Sequence, residues 1–297
     1  EVCKAFVAVS VKVMKQGVRS REQGIGTQLG ATNVRRLQRK LLTWYRRYGR
    51  HDFIWRKHPT PYRVLVAEVM LQQTQVSRVE PKYRDFLRQY PNFRALAAAR
   101  TGELLKLWSG LGYNRRALLL RLCAQQVIQR HGGRLPADDR QLRMLPGVGP
   151  YTAAAINVFA RNRDEVCIDT NVRRVLIYEL KLPHRISQGE LEAVAKWVLP
   201  RGRSRRWHSA LMDYGRMVAT SRKTGVKPLN RPAAEFIGSS RYWRGQAIRF
   251  LLRQRRSSLT GLARHLGLPL DRARAVAADL VRDGLLVRQG IWLLLPR

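Results

Sequence analysis

The sequence predicts an all-α protein with a small α+β domain at its C-terminal end. Apolar residues recur at helical spacing through most of the chain, and short Gly or Pro breaks separate the periodic segments. Strand-like alternation is almost absent before residue 235. Only residues 285–295, around Gln289-Gly290, predict two short strands. We therefore expect helices packed on helices in the larger part of the chain.

The elements follow one another in a simple order. Residues 1–33 lack periodicity and predict a poorly ordered N-terminal extension. Residues 34–218 form the helical domain, and the polar, Gly- and Pro-containing residues 219–240 predict a linker. Within the helical domain, a helix is expected from residue 34 and further helices at 62–75, 79–90, 93–99, 102–108 and 115–131.

Residues 241–297 change character and predict a separate domain. Its helices are expected at 241–254, 259–266 and 271–283, ahead of the two strands. Gly267-Leu268-Pro269 marks a turn between the second and third helices. A helix, a helix-turn-helix and a hairpin, in that order, are typical of a winged-helix-like domain.

Composition limits the classes of function. The chain has 297 residues, a formal net charge of +37 and 45% hydrophobic residues, which excludes a disordered basic tail. A compact chain tolerates such self-repulsion when its partner is a polyanion, and DNA or RNA is the default candidate. No apolar run approaches the roughly 20 residues of a membrane span, and there is no clear signal-peptide pattern. We expect no membrane partner and a cytoplasmic, nucleoid-associated, prokaryotic location.

The cysteines argue against a metal site. Cys3, Cys123 and Cys167 lie far apart and follow no CxxC spacing. A structural zinc site or an iron–sulfur cluster needs about four ligands. We therefore expect no bound metal, and no disulfide framework, which fits a reducing compartment.

A helix-hairpin-helix signature occupies residues 145–156. Gly147 and Gly149 permit a tight turn around Val148, and Thr152 lies at the start of the small-residue helix that follows. Backbone N–H groups at such a helix start hold a DNA phosphate without reading sequence. The alternative is an ordinary turn between two helices.

Two carboxylic acids are candidate catalytic groups. Glu68 stands alone in an apolar stretch, where burial would raise its pKa and suit it to act as a general acid; otherwise it lies on the exposed stripe of an amphipathic helix. Asp169 precedes a helix as a candidate N-cap, and capping would also fix a carboxylate beside a sugar cation. One acid and one ionised carboxylate are the usual equipment for hydrolysing a glycosidic bond.

With these motifs, residues 34–218 resemble the helix-hairpin-helix (HhH-GPD) DNA glycosylases, most closely the adenine glycosylases of the MutY type. The matching motifs are Trp55-Arg56, Pro61-Tyr62, residues 68–75, residues 107–113, the hairpin at 145–152 and residues 169–175. The resemblance implies a two-lobed helical fold that flips one base out of the duplex and hydrolyses its N-glycosidic bond.

The resemblance also implies roles for single residues. Glu68 matches the general acid, and Asp169 matches the carboxylate that stabilises the sugar cation. Asn171 matches a neighbour that supports this aspartate. Gln73 and Tyr113 match side chains that wedge into the duplex and fill the hole left by the flipped base.

Other matches bear on the reaction and on the base. Tyr151 stands where bifunctional relatives carry a Schiff-base lysine, which implies base release without cleavage of the backbone. Trp55, Arg56 and Ser209 are the expected base-pocket residues. Ser209 departs from the family, because relatives often have Glu or Gln there, and this weakens the assignment of adenine.

Further departures concern the cofactor and the C-terminal end. The family usually carries a four-cysteine iron–sulfur cluster, but residues 218–241 contain no Cys, so we expect no cluster and no other cofactor. The long domain that senses 8-oxoguanine is replaced by the winged-helix-like tail. The expected partner is double-stranded DNA with a mismatch or lesion, bound by a monomer.

Two alternatives stay open. A thymine or uracil mismatch glycosylase of the same fold would keep the chemistry and change the base. A non-catalytic DNA-binding protein would use only the charge and the tail. Basic clusters at 201–206, 241–244 and 253–256 would either contact phosphates or form solvated faces.

Overall fold

The computed structural model describes residues 30–226 and 235–296. The predicted extension 1–33 therefore lies outside the described residues up to residue 29, and the first helix already begins at Ala31. Within the described residues, every helix is too short or too polar to cross a bilayer.

Helices dominate the chain up to residue 224. Before the hairpin turn they are Ala31–Tyr48 (α1), Ile54–Lys57 (α2), Pro61–Leu71 (α3), Val76–Gln89 (α4), Phe93–Ala97 (α5), Thr101–Trp108 (α6), Arg115–His131 (α7) and Asp139–Arg143 (α8). After it they are Pro150–Ala155 (α9), which continues as the π-helical turn Ile156–Ala160, Thr170–Glu179 (α10), Gln188–Trp197 (α11), Ser204–Met217 (α12) and Ser221–Thr224 (α13).

The C-terminal residues contain helices and a small sheet. They form Ser240–Gln254 (α14), Arg256–Ser258 (β1), Leu259–Leu266 (α15), Leu270–Arg282 (α16), Val287–Gln289 (β2) and Trp292–Leu294 (β3). The sheet is antiparallel with the order β1-β3-β2, and Leu293 pairs with Ser257 on one side and Arg288 on the other. Strand β1 was not expected from the sequence, because Arg256-Ser257-Ser258 has no apolar residue to give an alternating pattern.

The described chain divides into two compact units. One comprises residues 30–64 and 150–226, and the other comprises residues 65–149 and 235–296. In the first, α12 packs on α1 and on α10. Helix α1 buries Val34, Leu37 and Leu41 at helical spacing. The core of this unit also contains Ala219 and Val226, which lie within the stretch expected to be a linker.

In the second unit, α5 packs on α7, and the three tail helices pack on one another. Stop and start signals fix these helices. Gly132, in the left-handed conformation, ends α7. Ser258 caps the start of α15, and Gly267 ends it. Tail side chains such as Leu251 and Leu280 are fully buried.

Candidate active site

Glu68 lies in a helix that is apolar on nearly all sides. Helix α3 buries the residues around it: Leu65, Val66, Ala67, Val69 and Met70. Glu68 itself is half-buried. No residue of this described helix is exposed, so the exposed polar stripe considered for Glu68 is absent from it.

Asp169 is the N-cap of α10, as the sequence predicts. Its Oδ1 accepts a hydrogen bond from the Val172 N–H at 2.7 Å, and its Oδ2 accepts one from Asn171 Nδ2 at 2.8 Å. Burial raises the pKa of the Asp169 carboxyl above its ordinary value, while these hydrogen bonds oppose the rise. The result is a rigid carboxylate whose charge is only partly compensated by its neighbours.

A second layer of contacts holds Asn171. Its Oδ1 accepts a hydrogen bond from Arg174 Nη1 at 3.3 Å, and the same nitrogen donates to the Gly215 carbonyl at 2.8 Å. A Cβ atom on Gly215 would lie 2.8 Å from Asn171 Cβ, which is a clash. Glycine at this position therefore lets α12 approach the start of α10 closely and fixes the partner of Asp169.

His208 supports the chain just before Asp169. The Cys167 N–H donates to His208 Nε2 at 3.2 Å, and His208 Nδ1 lies 2.9 Å from the Ser204 carbonyl. These contacts fit a neutral ring that carries its proton on Nδ1. Burial lowers the pKa of His208 to about 4, so the ring stays neutral near pH 7.

One of the expected base-pocket residues, Arg56, binds another buried acid, Asp213. The Asp213 side chain has no exposed surface, and it accepts hydrogen bonds from Arg56 at 2.7 and 3.1 Å and from Arg50. Burial alone would raise the pKa of Asp213, but the two arginines lower it. Trp55 stacks on Phe53 at a centroid distance of 4.8 Å. Arg56 is thus held in a structural ion pair.

Three further predicted site residues, Ser209 in α12 and Tyr151 and Thr152 in α9, are buried or half-buried. Ser209 is buried in α12, and Thr152 is buried in α9. Tyr151 is half-buried. Since the Thr152 side chain is buried, a phosphate at this helix start would have to meet backbone groups rather than its hydroxyl.

The two expected wedge residues share an uncommon backbone conformation. Gln73 has φ 52° and Tyr113 has φ 46°, in the left-handed region that side chains other than Gly rarely adopt. Both side chains are exposed, Tyr113 by 39%. Such strain persists only where the surroundings enforce it, and it concentrates at functional sites.

Arg116 enforces both loop conformations. Its guanidinium donates hydrogen bonds at 2.6 to 3.1 Å to the carbonyl oxygens of Val69, Met70, Gln72, Leu111 and Gly112 and to the hydroxyl of Thr74. Burial lowers the pKa of Arg116 to about 10, still well above neutral pH. One cation therefore ties the loop of Gln73 to the loop of Tyr113.

The hydrogen bonds of Arg116 also explain why the predicted end of α3 was wrong. The sequence predicts helix through residue 75, but α3 ends at Leu71. Carbonyl groups at the end of the helix bind Arg116 instead of later backbone N–H groups. The chain is thereby free to turn, and Gln73 is presented in the exposed loop.

The three residues of the hairpin turn, 147–149, differ in backbone conformation and in exposure. Gly147 has φ 76°, and a Cβ there would lie 3.1 Å from Leu119 Cβ, so any other residue would be strained. Val148 is buried, and its N–H closes the turn on the Leu145 carbonyl at 3.1 Å. Gly149 is exposed just before α9 begins.

The site thus has two groups of residues, each described within its own unit. Asp169 and Asn171 are joined by a hydrogen bond, and the loops of Gln73 and Tyr113 are joined through Arg116. Sequence reasoning missed the supporting residues Arg116, Arg174 and His208. Of these three, Arg174 lies within the matched motif 169–175, which is the signal that could have found it.

Comparisons with known proteins identify the family. The model of the "HhH-GPD superfamily base excision DNA repair protein" matches residues 66–200. An adenine DNA glycosylase of Mycolicibacterium smegmatis is 35% identical over 272 residues, which cover 83% of this chain and 91% of that protein. The chain belongs to this superfamily. The resemblance inferred from the motifs is thereby confirmed.

Other similar proteins in this superfamily are named for thymine rather than adenine. A thymine-DNA glycosylase of Aeropyrum pernix is 34% identical over 199 residues, which cover 64% of this chain and 88% of that protein. A solved structure of a thermostable thymine-DNA glycosylase aligns with a TM-score of 0.60 and 30% identity, over 66% of this chain and 92% of that one. The predominantly helical glycosylase fold is confirmed.

Proposed function

We propose that the chain is a monofunctional DNA glycosylase of base excision repair that removes adenine paired with G or 8-oxoguanine. The observation that carries the proposal is the rigid carboxylate of Asp169, capped by Val172 N–H and Asn171. The adenine DNA glycosylase of M. smegmatis, matched over 91% of its length, supports adenine as the base. A monomer acting on double-stranded DNA in the cytoplasm completes the proposal.

Glu68 supplies the proton that leaves with the base. In its protonated form it transfers this proton to a ring nitrogen of adenine, and the C1′–N bond breaks with its electron pair going to the base. Water then adds to C1′, and the Glu68 carboxylate takes a proton from that water. In this proposal Glu68 begins the cycle in its protonated form, and it is half-buried in helix α3.

Asp169 stabilises the sugar while it carries positive charge. Its carboxylate must be ionised for this role, and two hydrogen bonds hold it in one orientation. Because burial raises the pKa of Asp169, acid should abolish base release at a pH above the ordinary aspartate range. The proposal therefore gives the pH profile a defined acidic limb.

Tyr151 limits the reaction to base release. A phenol cannot form the Schiff base through which a lysine would cleave the backbone. Borohydride treatment should therefore trap no covalent adduct between the enzyme and DNA. An efficient adduct would contradict the monofunctional assignment.

Gln73 and Tyr113 act as wedges in this proposal. Their left-handed backbone and their exposure support insertion into the base stack, where they would replace the contacts of the extruded nucleotide. The hairpin turn with Gly147 and Gly149 would hold a phosphate of the same duplex.

The tail serves as a winged helix that adds affinity for DNA. The order of α14, β1, α15, α16, β2 and β3 and the three-stranded sheet support this assignment. Its contacts with phosphates are expected to be sequence-independent, so binding should weaken steeply with added salt. A flat salt response would exclude an interface dominated by phosphates.

We also propose that the enzyme works without an iron–sulfur cluster. Such a cluster takes about four thiolate ligands, and the chain has three cysteines. Cys123 and Cys167 are buried, and burial raises the pKa of Cys123 to about 12, so its thiolate is strongly disfavoured. Iron analysis of the purified protein should find no stoichiometric iron.

The decisive experiment combines a variant with a panel of duplexes. Glu68→Gln should lose base release and keep DNA binding; unchanged release would remove Glu68 from the mechanism, and release that is absent even from the wild-type protein would indicate a pure DNA-binding protein. The panel contains A:8-oxoguanine, A:G, T:G and U:G. Preferential release of adenine supports the proposal.

A thymine or uracil mismatch glycosylase is the second candidate. The A. pernix thymine-DNA glycosylase, 34% identical and matched over 88% of its length, favours it, as does Ser209 in place of the Glu or Gln expected near adenine. Preferential release of T or U from the same panel would select this candidate, because the chemistry proposed for Glu68 and Asp169 serves either base.

A further inference from the structure

A residue of the C-terminal tail contacts the tip of the proposed wedge. Arg241, in the first turn of α14, donates a hydrogen bond from Nη1 to the Tyr113 hydroxyl. Its guanidinium carbon lies 5.3 Å from the centre of the Tyr113 ring. The two residues are separated by 128 positions in the sequence, so this contact exists only because the tail folds onto the same unit.

The tail helix is anchored on both sides of this contact. Ser239 caps α14 by accepting the Tyr242 N–H. Arg244, one turn after Arg241, pairs with Asp283, and the same carboxylate lies 3.6 Å from Arg115. Arg115 begins the helix α7 that follows the loop of Tyr113. Asp283 therefore ties α14 to the wedge loop and fixes the place from which Arg241 reaches out.

Tyr113 is consequently held at two points. Arg116 binds the carbonyl groups of Leu111 and Gly112 just before it, and its guanidinium carbon lies 5.5 Å from the Tyr113 ring. Arg241 binds the hydroxyl at the far end of the side chain. The first contact sets the backbone, and the second restricts the rotamers of a side chain that would otherwise move freely in solvent.

We propose that Arg241 is a positioning residue, through which the C-terminal tail holds the Tyr113 phenol in the orientation in which it enters the duplex. The inference rests on the proposed wedge role of Tyr113. Arg241 and Arg244 are both bound to other side chains of the protein. The inference therefore gives them a different role from the two expected of the basic cluster 241–244, which were phosphate contact and a solvated face.

The hydroxyl gives the proposal a specific signature. A Phe ring stacks between bases as well as a Tyr ring does, so the hydroxyl matters to wedging only through its partner Arg241. Tyr113→Phe and Arg241→Gln should therefore slow base flipping equally, by about five- to tenfold, the usual size of one hydrogen bond at an exposed site. The double variant should be no slower than either single one.

The assay follows flipping through the fluorescence of 2-aminopurine placed beside the target base, with single-turnover base release and DNA affinity measured in parallel. Arg249→Gln is the matched control, because Arg249 is exposed on the same helix and its loss removes the same charge. Arg241→Lys should restore part of the flipping rate, since an ammonium can still donate to the hydroxyl. Urea unfolding checks that each variant keeps its fold.

The outcomes separate the inference from the function on which it rests. If Tyr113→Ala flips bases normally, Tyr113 is not a wedge and both fail. If Tyr113→Ala is defective but Arg241→Gln is normal, the wedge stands and the positioning role is wrong. Additive losses in the double variant, or weaker DNA affinity with normal flipping in Arg241→Gln, would make Arg241 a phosphate contact and overturn the inference.

Discussion

His208 should make the stability of the protein depend on pH in a specific window. Its ring is buried and neutral, with Nε2 accepting from the Cys167 N–H and Nδ1 bonded to the Ser204 carbonyl. Protonation would place a second N–H, and a charge, against the Cys167 N–H. Folding therefore opposes protonation of His208, and acid should favour the unfolded chain.

The magnitude follows from the difference in pKa between the two states. The ordinary histidine value is 6.5, and burial lowers the pKa of His208 to about 4. Between these values the unfolded chain binds a proton that the folded protein does not, so stability is full above pH 6.5 and falls as the pH drops toward 4. The complete loss is about 3 kcal/mol, and about 2 kcal/mol of it is reached at about pH 5.

Urea unfolding followed by Trp fluorescence, at about pH 7.5 and about pH 5, measures this loss. His208→Gln removes the titrating group, so its stability should fall between the two pH values by about 2 kcal/mol less than that of the wild type. His58→Gln, at an exposed position, is the control and should behave as the wild type. Parallel acid losses in wild type and His208→Gln would refute the buried neutral ring.

Three further substitutions test the supports of the site. Arg116→Lys cannot satisfy the six acceptors of the guanidinium. It should lower the free energy of unfolding by about 2 kcal/mol and slow base release. If its effect is no larger than that of Arg78→Lys at an exposed position, Arg116 does not hold the two loops. Asp213→Asn leaves the partly buried Arg50 and Arg56 without their counter-charge and should cost about 3 kcal/mol in urea melts. Because those arginines lower the pKa of Asp213, the wild type should lose this contribution only below about pH 4. Gly147→Ala should destabilise the fold by about 1–3 kcal/mol and weaken DNA binding, while Gly149→Ala, whose Cβ would meet no described heavy atom within 4 Å, should leave stability unchanged.

The sequence predicted best where local signals agree. Helices at 115–131 and 259–266 were located to the residue. Apolar spacing, a left-handed Gly after each helix and a Ser cap before the second act within a few residues of the helix ends. Asp169 was correctly expected to be an N-cap for the same reason, since capping depends on the next three residues.

The sequence could not predict contacts made by side chains across long distances. Arg116 binds carbonyl groups, which every residue has, so no residue type at 69–74 marks the site that it clamps. The contact between Arg241 and Tyr113 depends on how the tail packs. The predicted end of α3 was wrong for the same reason. Periodicity favours a helix that continues past Leu71, whereas the distant Arg116 binds the last carbonyl groups and ends it.

A shortage of acidic residues explains how the chain combines a packed fold with so large a charge. With 57 basic and 20 acidic side chains, most cations have no carboxylate to bind. Arg116, Arg121 and Arg205 donate instead to backbone carbonyl groups. A carbonyl accepts from the terminal N–H groups of a partly buried guanidinium without neutralising it, while the buried Nε of each of these three arginines has no hydrogen-bond partner among the described residues. At Arg116 the planar fork of arginine reaches five carbonyl groups at once, so this residue stabilises two loops and keeps the positive charge that attracts DNA.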